Sequence, residues 1–111
     1  MDNDTQQSLE QLQELEQKIQ SFSIQRQSFE ARLAEIENVL SELSRSRDGI
    51  YKVIGQIMFP AQKSTLEKEL QEKKKLFSLR ISSIEKQELP LLKQMEDLKL
   101  KITSKLKNLK S

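Results

Sequence analysis

The 111-residue chain contains no cysteine and no histidine, and it has only two glycines and two prolines. Without cysteine there is no disulfide framework and no thiolate metal site. Without histidine the chain lacks the side chain that most often acts as a general base or metal ligand. Aromatic residues make up 5% of the chain, so a large close-packed core is not expected. These absences argue against an enzyme, and no cofactor or metal is predicted.

Apolar runs are also short, and no stretch resembles a signal peptide or reaches the length of a membrane span. We therefore expect a soluble, cytoplasmic protein with no membrane partner. What is abundant is Glu, Lys, Gln and Leu, and charged residues reach 32% of the chain. These residue types lose little side-chain freedom in a helix. The composition therefore predicts long helices.

The first segment has a heptad pattern, and a helix is predicted over residues 6–47. No glycine or proline lies between Gln6 and Arg45. Seam positions alternate in spacing between three and four residues, and all but Arg26 are apolar: Leu12, Leu15, Ile19, Phe22, Arg26, Phe29, Leu33, Ile36, Leu40 and Leu43. A repeat of 3.5 residues keeps one stripe of a helix against a partner helix. The pattern therefore predicts a coiled coil.

A second helix is predicted over residues 64–109, where Ser64 and Glu67 fit a capping box. Its seam consists of Leu70, Phe77, Ile81, Ile84, Leu91, Met95, Leu98, Ile102 and Leu109, interrupted by Lys74, Glu88 and Lys105. Pro90 removes one backbone hydrogen bond and crowds the preceding turn. Because Pro90 lies on the outward side of the helix, we expect a kink there and no break.

Residues 48–63 have a different character. Asp48-Gly49 is a helix stop signal. Two runs of β-branched and aromatic residues, 50–54 and 57–59, then flank Gly55. This arrangement predicts a short β-hairpin. Nearly every position is apolar and an isolated hairpin is marginal in water, so the hairpin is expected to join a larger sheet built with other subunits.

An antiparallel arrangement of the two helices brings together residues equally distant from the turn near residue 57. The strongest interruptions of the two seams, Arg26 and Glu88, are such a pair. We predict that these side chains interact and fix the register of the helices. The alternative is that each side chain reaches solvent separately.

Charge is divided unevenly along the chain. Ten acidic and five basic residues precede Gly49, whereas seven acidic and fourteen basic residues lie from Gly49 onward, so the two halves can attract each other. The end of the chain carries Lys99, Lys101, Lys105, Lys107 and Lys110. These terminal lysines suit either an acidic protein partner or nucleic acid. Because no aromatic residues lie among them to stack on bases, nucleic-acid binding is disfavoured.

A group of apolar residues near both termini allows two interpretations. This terminal cluster consists of Leu9, Leu12, Ile102, Leu106 and Leu109. In the first interpretation these residues only complete the coiled-coil seam. In the second, fraying helix ends present adaptable apolar surface to non-native proteins.

The layout of the whole chain resembles the archaeal-type beta subunit of prefoldin. The stretch RDGIYKVIGQIMF at 47–59 is similar to that family's hairpin, and LEKELQEKKKLFSLRISSIEKQE at 66–88 is similar to the start of its second helix. The chain departs from the family at Phe59-Pro60-Ala61, where the second strand is expected to end early, and at Pro90. The resemblance implies one domain over residues 1–111: a mainly α fold in which a long antiparallel two-helix coiled coil carries a β-hairpin that joins an intersubunit β-barrel.

The resemblance also implies a function. Two alpha and four beta subunits would form a heterohexamer, a chaperone that binds unfolded proteins at the coiled-coil tips without ATP and delivers them to a group II chaperonin. The residues implied in subunit assembly are Ile50, Tyr51, Val53, Ile54, Ile57, Met58 and Phe59. The terminal cluster would bind clients, and the terminal lysines would contact the chaperonin. The alternative function is a generic coiled-coil scaffold or assembly protein, for which a strand-forming segment between the helices has no use.

Overall fold

The structure is a computed structural model that describes residues 3–46 and 49–110. Its elements follow the order helix, strand, strand, helix: α1 spans Asn3–Arg45, β1 spans Ile50–Ile54, β2 spans Ile57–Ala61 and α2 spans Lys63–Lys110. This order confirms the predicted class, which is two long helices with a short antiparallel hairpin between them. Neither described helix combines length with the apolarity that a membrane span needs.

Two hydrogen bonds mark the end of α1. The Ser46 amide donates to the Leu43 carbonyl at 3.2 Å, which tightens the last turn in the 3₁₀ manner. The Lys63 Nζ then donates to the Ser46 carbonyl at 3.3 Å, and a cation is favourable beside the carbonyls at a helix C-terminus. Asp48, half of the predicted stop signal, lies outside the described residues.

The hairpin has a two-residue turn between Ile54 and Ile57. Gly55 has φ +63, and among the described residues no other has a φ in the left-handed region. A positive φ at only the first turn residue corresponds to a type II′ turn, in which glycine is preferred. The predicted turn at Gly55 is therefore confirmed. Glycine suits this position because a residue with a Cβ is strained at a positive φ.

The expectation that β2 ends early was wrong, because the strand continues through Pro60, which pairs with Tyr51. Hydrogen-bonded and non-hydrogen-bonded pairs alternate along an antiparallel ladder. Counted from the turn-closing pair of Ile54 and Ile57, the pair of Tyr51 and Pro60 is non-hydrogen-bonded. A backbone amide at position 60 would point away from β1. The missing amide of Pro60 therefore removes no hydrogen bond between the two strands.

The start of α2 differs from the predicted capping box at Ser64. The Leu66 amide donates to the Gln62 carbonyl at 3.0 Å, so Gln62 accepts the first helical hydrogen bond and Ser64 lies inside the first turn. α2 then continues through Pro90 without ending. Pro90 is exposed, so the carbonyl it deprives of a partner has access to water.

The chain divides into two compact units, each containing one segment of either helix. The first unit comprises Met1–Gln27 and Ser82–Ser111, and the second comprises Ser28–Ile81 with the hairpin. Every predicted seam side chain whose burial the structure describes is buried or half-buried, which confirms the heptad assignment. Only Ile36, Leu43, Ile84 and Ile102 are buried apolar residues among those described. The stability of each unit therefore depends on many half-buried side chains.

Candidate functional site

A group of exposed apolar side chains in the second unit lies on the hairpin. The hairpin surface consists of Ile50, Tyr51, Val53, Ile54, Ile57, Met58 and Phe59, the residues predicted to take part in assembly. Ile50 is half-buried. The other six side chains are between 44% and 64% exposed. Monomeric soluble proteins rarely expose six large apolar side chains within a stretch of nine residues.

The strand register distributes these side chains over both faces of the hairpin. Val53 lies opposite Met58, and Lys52 lies opposite Phe59. Because cross-strand partners share a face, Tyr51, Val53 and Met58 form one face, while Ile54, Ile57 and Phe59 belong to the other. Two strands cannot cover both of their own faces. The geometry therefore favours packing against further strands or helices.

The edges of the hairpin differ in their hydrogen-bonding groups. Residues of non-hydrogen-bonded pairs direct their backbone amides and carbonyls outward. On β1 these residues are Tyr51 and Val53, and on β2 they are Met58 and Pro60. β1 thus offers two outward amides and β2 only one, because proline has none. Open strand edges are templates for pairing with another chain, and β1 has the more complete edge.

An ion pair connects the hairpin with α2. Lys52 Nζ lies 3.6 Å from Glu69 Oε2, and both side chains are about half exposed. Such exposed pairs contribute little to stability. Lys52 shares its face with Ile54, Ile57 and Phe59, so the pair indicates that this face of the hairpin is directed toward the first turns of α2.

The polar interruptions of the two seams meet in the first unit. Arg26 Nε donates to Glu88 Oε1 at 2.7 Å. The Glu88 side chain is 9% exposed and the Arg26 side chain 27%. This contact confirms the predicted interaction and excludes the alternative in which each side chain reaches solvent alone.

An aromatic contact joins the two helix segments of the second unit. Phe29 and Phe77 have ring centroids 5.7 Å apart. The sequence analysis assigned both residues to the seams but did not pair them.

The terminal cluster is divided between buried and accessible side chains. Ile102 is buried, Leu9 and Leu12 are half-buried, and Leu106 is 40% exposed. The side chain of Leu109 lies outside the described part of the structure. Leu12 and Ile102 thus belong to the seam, as the first interpretation states, whereas Leu106 and part of Leu9 are accessible.

The terminal lysines are also not equivalent. Lys99, Lys101 and Lys107 are exposed, whereas Lys105 lies on the seam with its Nζ 3.8 Å from Asp4 Oδ2. The side chain of Lys110 is not among those described. The contact between Lys105 and Asp4 brings the beginning of α1 and the end of α2 together in the first unit.

A groove of about 490 Å³ lies on one side of the helix pair in the first unit. Its lining residues are Gln11, Glu14, Leu15, Lys18, Gln94, Asp97, Leu98 and Lys101. The lining combines two acids, two bases and two amides with two seam leucines. Because its charges are mixed, the groove is not a basic patch for nucleic acid.

Two seam residues were missed because the predicted seam of α1 began at Leu12, its first apolar position. Ser8 and Thr5 continue the three-four spacing from Leu12 toward the N-terminus, and they are 3% and 0% exposed. The spacing itself was the signal for them. Small polar side chains make fewer apolar contacts than leucine, so the seam is less apolar near the termini than elsewhere.

Comparisons with known proteins agree on one family. The family model described as "Prefoldin subunit" matches residues 6–109. The chain is 36% identical over 105 residues to prefoldin subunit beta of Saccharolobus islandicus (strain L.S.2.15 / Lassen #1), covering 93% of this chain and 83% of the relative. It is 35% identical over 94 residues to prefoldin subunit beta of Archaeoglobus fulgidus, with 83% and 81% covered.

A solved structure shares the fold. The crystal structure of the prefoldin beta subunit from Thermococcus strain KS-1 superimposes with a TM-score of 0.86 at 27% identity, covering 95% of this chain and 94% of the other. The similarity therefore includes both helices and the hairpin between them.

Proposed function

The chain belongs to the prefoldin family of chaperone subunits, and from this membership we propose that it binds unfolded proteins without ATP and delivers them to a group II chaperonin. It would do so as a beta-type subunit in a hexamer with two alpha and four beta chains. The cytoplasmic location is part of the same proposal.

The observation that carries the proposal is the hairpin surface. Its six exposed apolar side chains lie on both faces of a two-stranded sheet, and both strand edges are open in the single chain. Burial of the faces and pairing of the edges are both achieved when hairpins from several subunits join into a β-barrel, which removes free edges. A generic coiled-coil scaffold, the second candidate, needs no such surface.

Client binding is assigned to the terminal cluster. Leu106 is accessible and Leu9 is partly so. Leu12 and Ile102 contribute when the helix ends separate locally. Separation is easier where Thr5 and Ser8 replace apolar seam residues, since local opening requires less free energy where apolar contacts are few. Several tips in one hexamer would hold one unfolded chain by weak, repeated contacts.

Chaperonin contact is assigned to the terminal lysines. Lys99, Lys101 and Lys107 are exposed and form no ion pair with any described residue. They are therefore available to an acidic surface, where charge complementarity raises the rate of association more than the affinity. Lys105 has a carboxylate partner already and is expected to contribute less.

Two measurements test the proposal. The chain is mixed with a beta-compatible alpha-type prefoldin subunit, and the mass of the complex is compared with that of the chain alone. A discrete hexamer is expected. The same complex should slow the aggregation of a chemically denatured enzyme in the absence of ATP. A complex that forms but leaves the aggregation rate unchanged would support the scaffold instead.

A further inference from the structure

The two open edges of the hairpin do not suit the same partner strand. On β1 the outward amides belong to Tyr51 and Val53, whereas on β2 only Met58 has one, because proline lacks an amide. Neighbouring antiparallel strands exchange hydrogen bonds between outward amides and carbonyls at alternate residues. Any strand that pairs along β2 therefore has one carbonyl, opposite Pro60, that receives no hydrogen bond from β2.

Pairing along β2 is unfavourable for a second copy of this chain. When β1 of one copy lies antiparallel to β2 of the next, the alignment that uses all outward groups sets Tyr51 opposite Pro60 of the next copy. The Tyr51 carbonyl then has no donor, and a polar group that is covered without a hydrogen bond costs free energy. Two β2 edges would meet with the same deficit on both sides.

Pairing of β1 with β1 of another copy is opposed by charge. In the two-fold alignment that uses every outward group of β1, Lys52 lies opposite Lys52 of the other copy, with the Cα atoms about 4.5 Å apart. Like charges in that position destabilise a sheet. Glu69 Oε2, 3.6 Å from Lys52 Nζ, offsets part of this repulsion, but both side chains are about half exposed, where ion pairs are weak. Glu72 and Lys73 line the cleft beside Lys52 and add no net charge.

We propose that Pro60, supported by Lys52, directs the hairpin away from copies of itself, so that the β1 edge forms the first joint with a strand of a different subunit. Proline and lysine on edge strands are known to discourage unwanted pairing. The partner strand offers both an amide and a carbonyl opposite Tyr51 and Val53. The inference rests on the proposed function, in which this strand belongs to the alpha-type subunit, and it adds the edge and the residue that select the partner. The β2 edge is paired only when the barrel closes.

Self-association of the chain alone tests Pro60. Pro60→Ala restores the outward amide and removes apolar surface, so a gain in self-association reports the hydrogen bond. Sedimentation equilibrium should show self-association about fivefold tighter than that of the unmodified chain. The matched control is Pro90→Ala, at the second of the two prolines, which is exposed on α2; it should cause no change. Adding Val53→Pro to Pro60→Ala removes an amide from β1 and should cancel the gain.

The choice of edge is tested with one alpha-type prefoldin subunit and one copy of the full chain, titrated by native mass spectrometry. Each proline variant is compared with alanine at the same position, which removes the side chain and keeps the amide. Val53→Pro should weaken this complex about fivefold more than Val53→Ala, whereas Met58→Pro and Met58→Ala should weaken it equally. Val53 and Met58 form a non-hydrogen-bonded pair, so neither proline removes a hydrogen bond of the hairpin.

The proposal is overturned if Pro60→Ala self-associates no more tightly than the unmodified chain, or if Pro90→Ala shows the same gain. It is also overturned if the additional effect of proline is as large at Met58 as at Val53. The proposed function survives these results as long as the unmodified chain forms the hexamer. If the unmodified chain forms no complex with an alpha-type subunit, the proposed function fails and so does this choice of partner.

Discussion

Arg26 Nε and Glu88 Oε1 lie 2.7 Å apart on the seam of the first unit. The carboxylate is nearly buried, so its charge depends on this guanidinium for compensation. Sliding one helix by a heptad would place each charge against apolar seam residues. The pair therefore selects one register among those that a repeating apolar seam would allow.

Removing one member of this pair should destabilise the fold. Arg26→Ala leaves Glu88 without this partner, and we expect a loss of about 2 to 3 kcal/mol in the free energy of unfolding. This is below the range for a fully buried pair, because Arg26 retains partial exposure. The measurement is urea denaturation followed by circular dichroism.

The control for this prediction is the apolar replacement of both residues. Arg26→Leu with Glu88→Leu should restore stability to near that of the unmodified chain, since leucine continues the seam and leaves no charge uncompensated. A double-mutant cycle with zero coupling energy would show that the pair does not act as a unit.

The turn of the hairpin should be sensitive to a single methyl group. Gly55→Ala places a Cβ on a residue with φ +63, and we expect a cost of about 1 to 2 kcal/mol in hairpin stability. Faster amide hydrogen exchange in the strands would report this loss. Gly49→Ala is the control, because a Cβ there meets only ordinary contacts with the Tyr51 ring. Equal exchange rates in the two variants would contradict the prediction.

Assembly should depend on apolar side chains of one hairpin face. Val53 and Met58 are cross-strand partners and both are more than 60% exposed. Replacing both with serine should weaken association with an alpha-type subunit at least tenfold. The reason is that burial of each apolar side chain in the interface contributes on the order of 1.5 kcal/mol or more to the free energy of association. Native mass spectrometry measures the complex. Leu79→Ser, a similarly exposed site on α2, should assemble normally, and loss of assembly in both would refute a role specific to the hairpin.

Client holding should be separable from assembly. Leu9→Ser with Leu106→Ser removes the accessible part of the terminal cluster, and the hexamer should form with unchanged mass but suppress aggregation several-fold less. The reason is that weak contacts at each tip multiply over the complex. Ile24→Ser, at a residue 59% exposed on α1, should retain the full activity. If the two variants suppressed aggregation equally well, the terminal cluster would not be the client surface.

Local patterns in the sequence account for most of the architecture. The heptad spacing identified the seam of both helices because a helix repeats its surface every few residues, whatever its partner is. Glycine and the flanking β-branched residues identified the hairpin for a similarly local reason. Arg26 and Glu88 could be paired because an antiparallel turn relates distant residues by simple counting.

Other features depended on neighbours that are distant in the sequence. β2 passes through Pro60 because the two-residue turn sets the alternation of the ladder and leaves that position without an inward amide. Thr5 and Ser8 continue the heptad spacing, but small polar side chains do not by themselves indicate burial, and their 0% and 3% exposure depends on the packing of the helix pair. Ile102 and Leu106 are both apolar and one turn apart, and the heptad spacing assigned only Ile102 to the seam. How much of Leu106 remains accessible, 40% of its surface, depends on the packing of the helix pair.

The amino-acid sequence by itself determined the two helices, the hairpin and the register of the helix pair, because these follow from periodicity, backbone preference and counting. Tertiary structure decided which apolar side chains remain accessible for partners. Burial is a property of the surfaces that meet, and it is set by the direction of each side chain relative to the other helix rather than by its identity.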